Sequence, residues 1–123
     1  MNIKLFLKNE QSTNLLGLIF TKILNSHKEG LVVSLNGEMG SGKTTLVRAI
    51  IKELGHVGSV PSPTYTLIEP YRISNKPIYH IDLYRIEEDL ELEFIGWNDF
   101  EVNSLIFIEW PERVHRVYKS SDI

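Results

Sequence analysis

The spacing of apolar side chains changes period several times along the chain, and each change marks an element. Leu15, Leu16, Ile19, Phe20, Ile23 and Leu24 recur at helical spacing with polar residues between them. Asn9 or Ser12 stands where a cap is needed, and Asn25-Ser26 where the helix ends. An amphipathic helix packed on a sheet is therefore predicted. Ahead of it, Ile3 to Leu7 alternates weakly, which predicts a short edge strand. Leu31-Val32-Val33-Ser34-Leu35 is a short, β-branched apolar run that stops at Asn36-Gly37, the pattern of a buried strand. A second helical pattern begins near Lys43, with Leu46, Val47, Ile50, Ile51 and Leu54 on one side and Gly55 placed to end it.

From His56 to Thr66 periodicity fades, and Gly58, Pro61 and Pro63 predict a loop. A short strand is expected over Thr66 to Ile68, then a turn at Ser74-Asn75-Lys76-Pro77. Ile78 to Tyr84 alternates, with His80, Asp82 and Tyr84 on one face and Ile81 and Leu83 on the other. Glu87 to Phe94 reads as an acidic helix, and Leu105 to Ile108 as a further apolar strand running into Glu109-Trp110-Pro111. No internal repeat or low-complexity linker interrupts this order.

Length bounds what these elements build. A chain of 123 residues suits a single domain, 1–123, with one sheet flanked by helices. Hydrophobic residues make up 42% and charged residues 24%, an ordinary globular balance. The formal net charge of −3 provides no broad basic surface, so any contact with RNA is expected to be local or to run through a partner protein. The absence of cysteine excludes disulfides, thiolate metal sites and cysteine nucleophiles. No apolar run approaches the ~18 residues of a membrane span, and Met1 to Glu10 does not resemble a secretion signal. The cytoplasm is the expected compartment.

Gly37-Glu38-Met39-Gly40-Ser41-Gly42-Lys43-Thr44 fits G-x-x-x-x-G-K-[ST] at every fixed position. Glycines let the backbone fold into a nest whose N–H groups converge on phosphate oxygens. The helix that opens there adds its uncapped N–H groups and the positive end of its dipole. Lys43 supplies a mobile cation for the β- and γ-phosphates, and the Thr44 hydroxyl is a Mg²⁺ ligand. The motif follows a predicted strand and opens a predicted helix, the context that gives it meaning.

Such a site needs a carboxylate near the metal and a group that orients the attacking water. Glu109 ends an apolar run, as an acidic residue does at the tip of a buried parallel strand, and Asp82 lies on the alternating strand. In open α/β sheets ligands gather beyond the carboxyl ends of the strands, so both are candidates. The residues leave open which one touches the metal. His80 and Tyr84 share the face of Asp82 and read as structural. Arg85 is a candidate partner for a phosphate or for the acidic segment Glu87–Glu93, and the surface ion pair is the preferred reading. Ser62-Pro63-Thr64-Tyr65-Thr66 lies where nucleotide switches often sit, and two prolines around a hydroxyl residue restrict it. A plain turn explains it equally well.

Five blocks in order carry a family resemblance. They are Leu35 to Thr45, Ser62 to Leu67, Tyr79-His80-Ile81-Asp82-Leu83-Tyr84-Arg85, Glu91-Leu92-Glu93-Phe94-Ile95-Gly96, and Ile108-Glu109-Trp110-Pro111. From about Asn9 to about Pro111 the chain resembles the TsaE family, P-loop ATPases of bacterial tRNA threonylcarbamoyladenosine synthesis. The resemblance implies a P-loop NTPase-like three-layer α/β fold with a small, mainly parallel sheet. It implies ATP and Mg²⁺ as ligands, with ATP hydrolysis resetting a TsaB–TsaD heterodimer that modifies the adenosine beside the tRNA anticodon. Contact with tRNA would be indirect, through that complex. Lys43, Asp82 and Glu109 become catalytic candidates, and Thr44, Glu109 and Asp82 the candidate metal shell. The nucleotide-binding set becomes Glu38, Met39, Gly40, Ser41, Gly42, Lys43, Thr44 and Thr45. The resemblance adds Glu10 as a contact to the base or ribose, makes Ser62–Leu67 a nucleotide-sensing loop, and has Trp110 packing or meeting the partner.

One departure stands out. Family members continue past the Glu-Trp-Pro block with further strands, whereas this chain ends at Ile123 after a polar tail. A C-terminally shortened member, with low stability, low ATP affinity and slow hydrolysis in isolation, is the expectation. Two other functions share the phosphate cradle. A small kinase would need an acceptor pocket and an arginine-bearing lid, for which Arg48, Arg72, Arg85, Arg113 and Arg116 and the short loops offer little. A non-catalytic ATP-dependent binding module is the other.

Overall fold

A computed structural model describes residues 10–25, 30–38, 42–88, 91–94, 96, 100 and 103–114, with the backbone alone at 10, 25, 92 and 94. In chain order the described elements are α1 (Glu10–Asn25), β1 (Leu31–Leu35), α2 (Lys43–Glu53), β2 (Ile68–Ile73), β3 (Lys76–Asp82), α3 (Glu91–Phe94) and β4 (Leu105–Glu109). A 3₁₀ turn, Pro111–Arg113, follows. The edge strand expected over Ile3 to Leu7 lies outside the described residues. Of the acidic helix expected over Glu87 to Phe94, Glu87 and Glu88 are not helical, 89 and 90 lie outside the described residues, and Glu91–Phe94 is helical.

The strands form one sheet in the order β1-β4-β3-β2. β4 pairs in parallel with β1 and β3, and β2 joins β3 antiparallel at the edge. β4 is buried along its whole length, which explains its unbroken apolar run. One face carries Val33, Leu35, Ile78 and Phe107 and packs on Val47, Ile50 and Ile51 of α2 and Leu24 of α1. Each fully buried side chain of this size contributes about 1.5–3 kcal/mol. The opposite face, with Ile81, Ile106 and Ile108, is covered by Leu83, Ile86 and Val114.

β3 spans Lys76–Asp82, two residues ahead of the strand expected over Ile78 to Tyr84, and β2 and α1 differ further from the pattern reading. β2 runs through Glu69-Pro70 to Ile73, beyond the short strand expected at Thr66 to Ile68. Proline removes a donor, which an edge strand tolerates. Ser74 and Asn75, both at positive φ (49° and 64°), close the tight hairpin to β3. α1 has the expected extent but a different contact face. Leu15, Ile19 and Ile23 are 60%, 50% and 47% exposed, while Thr13, Gly17, Thr21 and Leu24 face inward. The reason is close helix approach: a Cβ on Gly17 would stand 2.9 Å from the Ala49 Cβ of α2. Small residues bring the two helices together and Leu15, Ile19 and Ile23 fall on the flank, whereas Phe20 and Leu24 pack on the core.

Candidate functional site

The parallel register aligns the carboxyl ends of three strands. Leu35 pairs with Glu109, and Asp82 pairs with Glu109 from the other side. β1 ends and α2 begins on this side of the sheet, so the helix N-terminus and both carboxylates converge. Gly42, at φ 95°, precedes α2 in the left-handed region, with nothing within 4 Å of where its Cβ would stand. That conformation favours glycine. α2 has no side-chain cap bond and no acidic residue in its first turn. Its open N–H groups and dipole are left for an anion.

Thr44 Oγ1 donates to the Glu109 carboxylate, 2.8 Å from Oε1 and 3.0 Å from Oε2. His80 Nε2 stands 2.6 Å from the same Oε2, with both side chains buried. Asp82 is held differently. Its Oδ1 accepts the Tyr84 N–H at 2.8 Å, and its Oδ2 accepts the Thr64 hydroxyl at 3.2 Å. Ser62 Oγ lies 2.8 Å from Thr64 Oγ1, so the switch-like loop is tied to the β3 tip. Leu67, at φ 69°, completes this link: its N–H donates to Pro63 O and its carbonyl accepts from Asp82 N.

Burial pushes the Asp82 carboxyl above the usual carboxylate range, and the Glu109 charge adds to this. The bonds from Tyr84 N–H and Thr64 oppose it. The Lys43 ammonium donates to the Gly37 carbonyl and lies 3.4 Å from the centroid of the Trp110 ring. Burial lowers its pKa, while Glu109, Glu112 and Asp82 pull the other way.

Of the residues singled out in the sequence, Lys43, Thr44, Asp82 and Glu109 come together at one edge of the sheet. Thr45 lies in the first turn of α2, and Glu38 is exposed just after β1. Met39, Gly40, Ser41 and the Glu10 side chain lie outside the described residues. Arg85 stacks over the Tyr65 ring, 5.1 Å from its centroid. Trp110 packs, as expected, on Lys43 and at 4.9 Å from Tyr84. The strand pattern assigns His80 a structural role, and in the structure its ring meets Glu109. Its position two residues before Asp82 on the same strand face was the available signal.

The donor set suits Mg²⁺ bound together with a phosphate. Among the described residues no group of three His, Cys, Asp or Glu side chains is assembled to hold a metal alone. Mg²⁺ takes one or two carboxylates and completes its shell with water and substrate phosphates, which Thr44 and Glu109 beside an open helix N-terminus can accommodate.

A mostly parallel sheet, a glycine-rich sequence after its first strand and a lysine–threonine pair opening the next helix define a P-loop α/β protein. Within that class the chain belongs to the TsaE family: residues 7–123 match the family described as "Threonylcarbamoyl adenosine biosynthesis protein TsaE". It is 45% identical over 121 residues to the tRNA threonylcarbamoyladenosine biosynthesis protein TsaE of Haemophilus influenzae, covering 96% of this chain and 77% of that protein. The protein of the same name from a Nostoc species is 40% identical, covering 90% of this chain and 69% of the relative. The Rickettsia felis one is 39% identical, covering 88% and 62%. No helix among the described residues is long and apolar enough to cross a membrane.

Proposed function

We propose that this chain is the Mg²⁺-dependent ATP-binding and ATP-hydrolysing subunit of tRNA N6-threonylcarbamoyladenosine synthesis. It acts in the cytoplasm with a TsaB–TsaD-type heterodimer and meets tRNA only through that complex. The observation that carries this reading is the Thr44 hydroxyl seated on the Glu109 carboxylate at the open N-terminus of α2. A P-loop threonine and a strand-tip carboxylate are the pair that holds magnesium in such ATPases.

In this reading the N–H groups of α2 and the preceding turn bind the phosphates, from Glu38 through Thr45, and Glu10 contributes at the base or ribose. Lys43 leaves the Gly37 carbonyl and the Trp110 ring to face the phosphate oxygens. Thr44 and Glu109 hold the metal, which when bound neutralises charge on the phosphates. Asp82 orients the attacking water, and its bond to Thr64 gives the Ser62–Leu67 loop a way to sense what occupies the site. Catalysis of this kind rests on positioning, so a partner that completes the site is expected to raise turnover.

The test is reconstitution with the two partner subunits, tRNA and ATP. Thr44→Ala and Glu109→Ala are each expected to abolish hydrolysis and to stop modification after the first turnovers. Full multi-turnover modification by Glu109→Ala would refute the role given to that carboxylate. Calorimetry showing no uptake of magnesium nucleotide by the assembled complex would refute the reading as a whole.

A further inference from the structure

Glu109 is the only charged residue of β4, and how its side chain is aimed decides whether the site works as proposed above. A glutamate retains several rotatable bonds, and ordering such a side chain costs about 1.5–2 kcal/mol of rotamer freedom. Two cationic or donor groups compete for it. Thr44 offers a hydroxyl on one side, while the Lys43 ammonium is close enough for its charge to be felt. An ion pair between Glu109 and Lys43 would take both away from a phosphate and its metal.

The third contact resolves this competition. His80 stands on the strand next to β4, two residues before Asp82, on the same sheet face as Glu109. Its residue is 0% exposed, and Nε2 is 2.6 Å from Glu109 Oε2. An ionised carboxylate only accepts, so the proton of this bond sits on Nε2. The other ring nitrogen, Nδ1, is buried with no hydrogen-bond partner among the described residues. A leucine or methionine would fill the volume without leaving a buried polar atom unpaired. Packing therefore does not account for a histidine here, whereas the carboxylate does.

We propose that His80 is a positioning residue that pins the Glu109 carboxylate toward Thr44 and away from Lys43, pre-setting the metal shell. This rests on the reading of the site as one for a magnesium nucleotide. Hydrogen-bond partners of ligating carboxylates govern metal affinity by about 10- to 100-fold, and that is the size of effect assigned to His80.

The experiment measures binding of a non-hydrolysable ATP analogue with and without Mn²⁺, in the full chain assembled with its partners. The ratio of the two affinities gives the metal coupling. In His80→Leu the coupling is expected to fall about 10- to 100-fold, while metal-free analogue binding stays near the parent value. His80→Gln, whose amide can donate to the same carboxylate, is expected to recover most of the loss. Parent-like coupling in His80→Leu, or a glutamine variant no better than the leucine one, would overturn the inference while leaving the nucleotide reading standing. A parent protein that binds no analogue in either condition would overturn both. Should His80→Leu fail to fold, ¹⁵N-histidine NMR on the unsubstituted protein decides instead. A slowly exchanging Nε2–H of His80 that Glu109→Gln shifts supports the bond, and a freely exchanging one overturns it.

Discussion

The Lys43 ammonium rests on the face of Trp110, 3.4 Å from the ring centroid, although 66 residues lie between them in the chain. The contact depends on an unusual backbone: Trp110 has φ 59° and ψ 47°, the left-handed region, immediately after β4. That turn swings the indole back over the helix N-terminus instead of continuing the strand.

A left-handed backbone costs a residue with a Cβ about 1–2 kcal/mol that glycine escapes. Trp110→Gly and Trp110→Ala both lose the ring, so their difference isolates the backbone. The glycine variant is expected to be the more stable by about 1 kcal/mol in urea unfolding. Equal stability, or a more stable alanine variant, would show that the turn relaxes out of this conformation once the ring is gone.

Asp82 predicts a pH trend. Its pKa in the folded chain is raised above the ordinary 3.8. Between the ordinary and the raised value the folded chain binds more protons than the unfolded one, so stability falls as pH rises through that window. Asp82→Asn carries no charge at any pH and escapes this loss. The melting temperature of the variant minus that of the parent is expected to grow from acid pH and level off at neutral pH. A difference that shrinks toward neutrality would contradict the burial assigned to this carboxylate.

Gly17 tests the helix contact. Alanine in a helix interior ordinarily gains about 1 kcal/mol over glycine. Here the new Cβ would stand 2.9 Å from the Ala49 Cβ, and Gly17→Ala is expected to show none of that gain. Combining it with Ala49→Gly should relieve the clash, with a favourable coupling of about 0.5 kcal/mol or more in a double-mutant cycle. Additive effects would mean that α1 shifts freely on α2.

Thr64→Val keeps the branched shape and removes the hydroxyl that donates to Asp82. The stability loss is expected to be modest, about 0.5–1.5 kcal/mol. Tyr65 beside it is 82% exposed and open to chymotrypsin. Magnesium ATP is expected to slow that cleavage in the parent complex and to lose this effect in the variant. Unchanged protection would remove Thr64 as the link between loop and site.

Much of this was legible in the chain because local chemistry writes it there. β1 and β4 are short apolar runs, α2 repeats at helical spacing, and the glycine-rich turn stands between β1 and α2. β2 is longer than the strand the pattern predicts at Thr66 to Ile68, and its place at the sheet edge is what makes Pro70 acceptable within it. The inward face of α1 is only partly legible: Phe20 and Leu24 pack on the core as the pattern predicts, but Leu15, Ile19 and Ile23 do not. Hydrophobicity names the large apolar residues, whereas the closeness of α2 selects the small ones.

The sequence by itself determined the phosphate-binding motif, the order of helices and strands, and Asp82 and Glu109 as the carboxylates worth watching. These follow from period, turn chemistry and residue type, all of which act over a few neighbours. Only the tertiary structure decided that Glu109 meets Thr44, that Asp82 is tied to Thr64, and that a buried histidine stands behind the first of these carboxylates. Those pairings depend on which strands lie side by side and in what register. That is settled by burial across the whole sheet, and no local stretch of the chain records it.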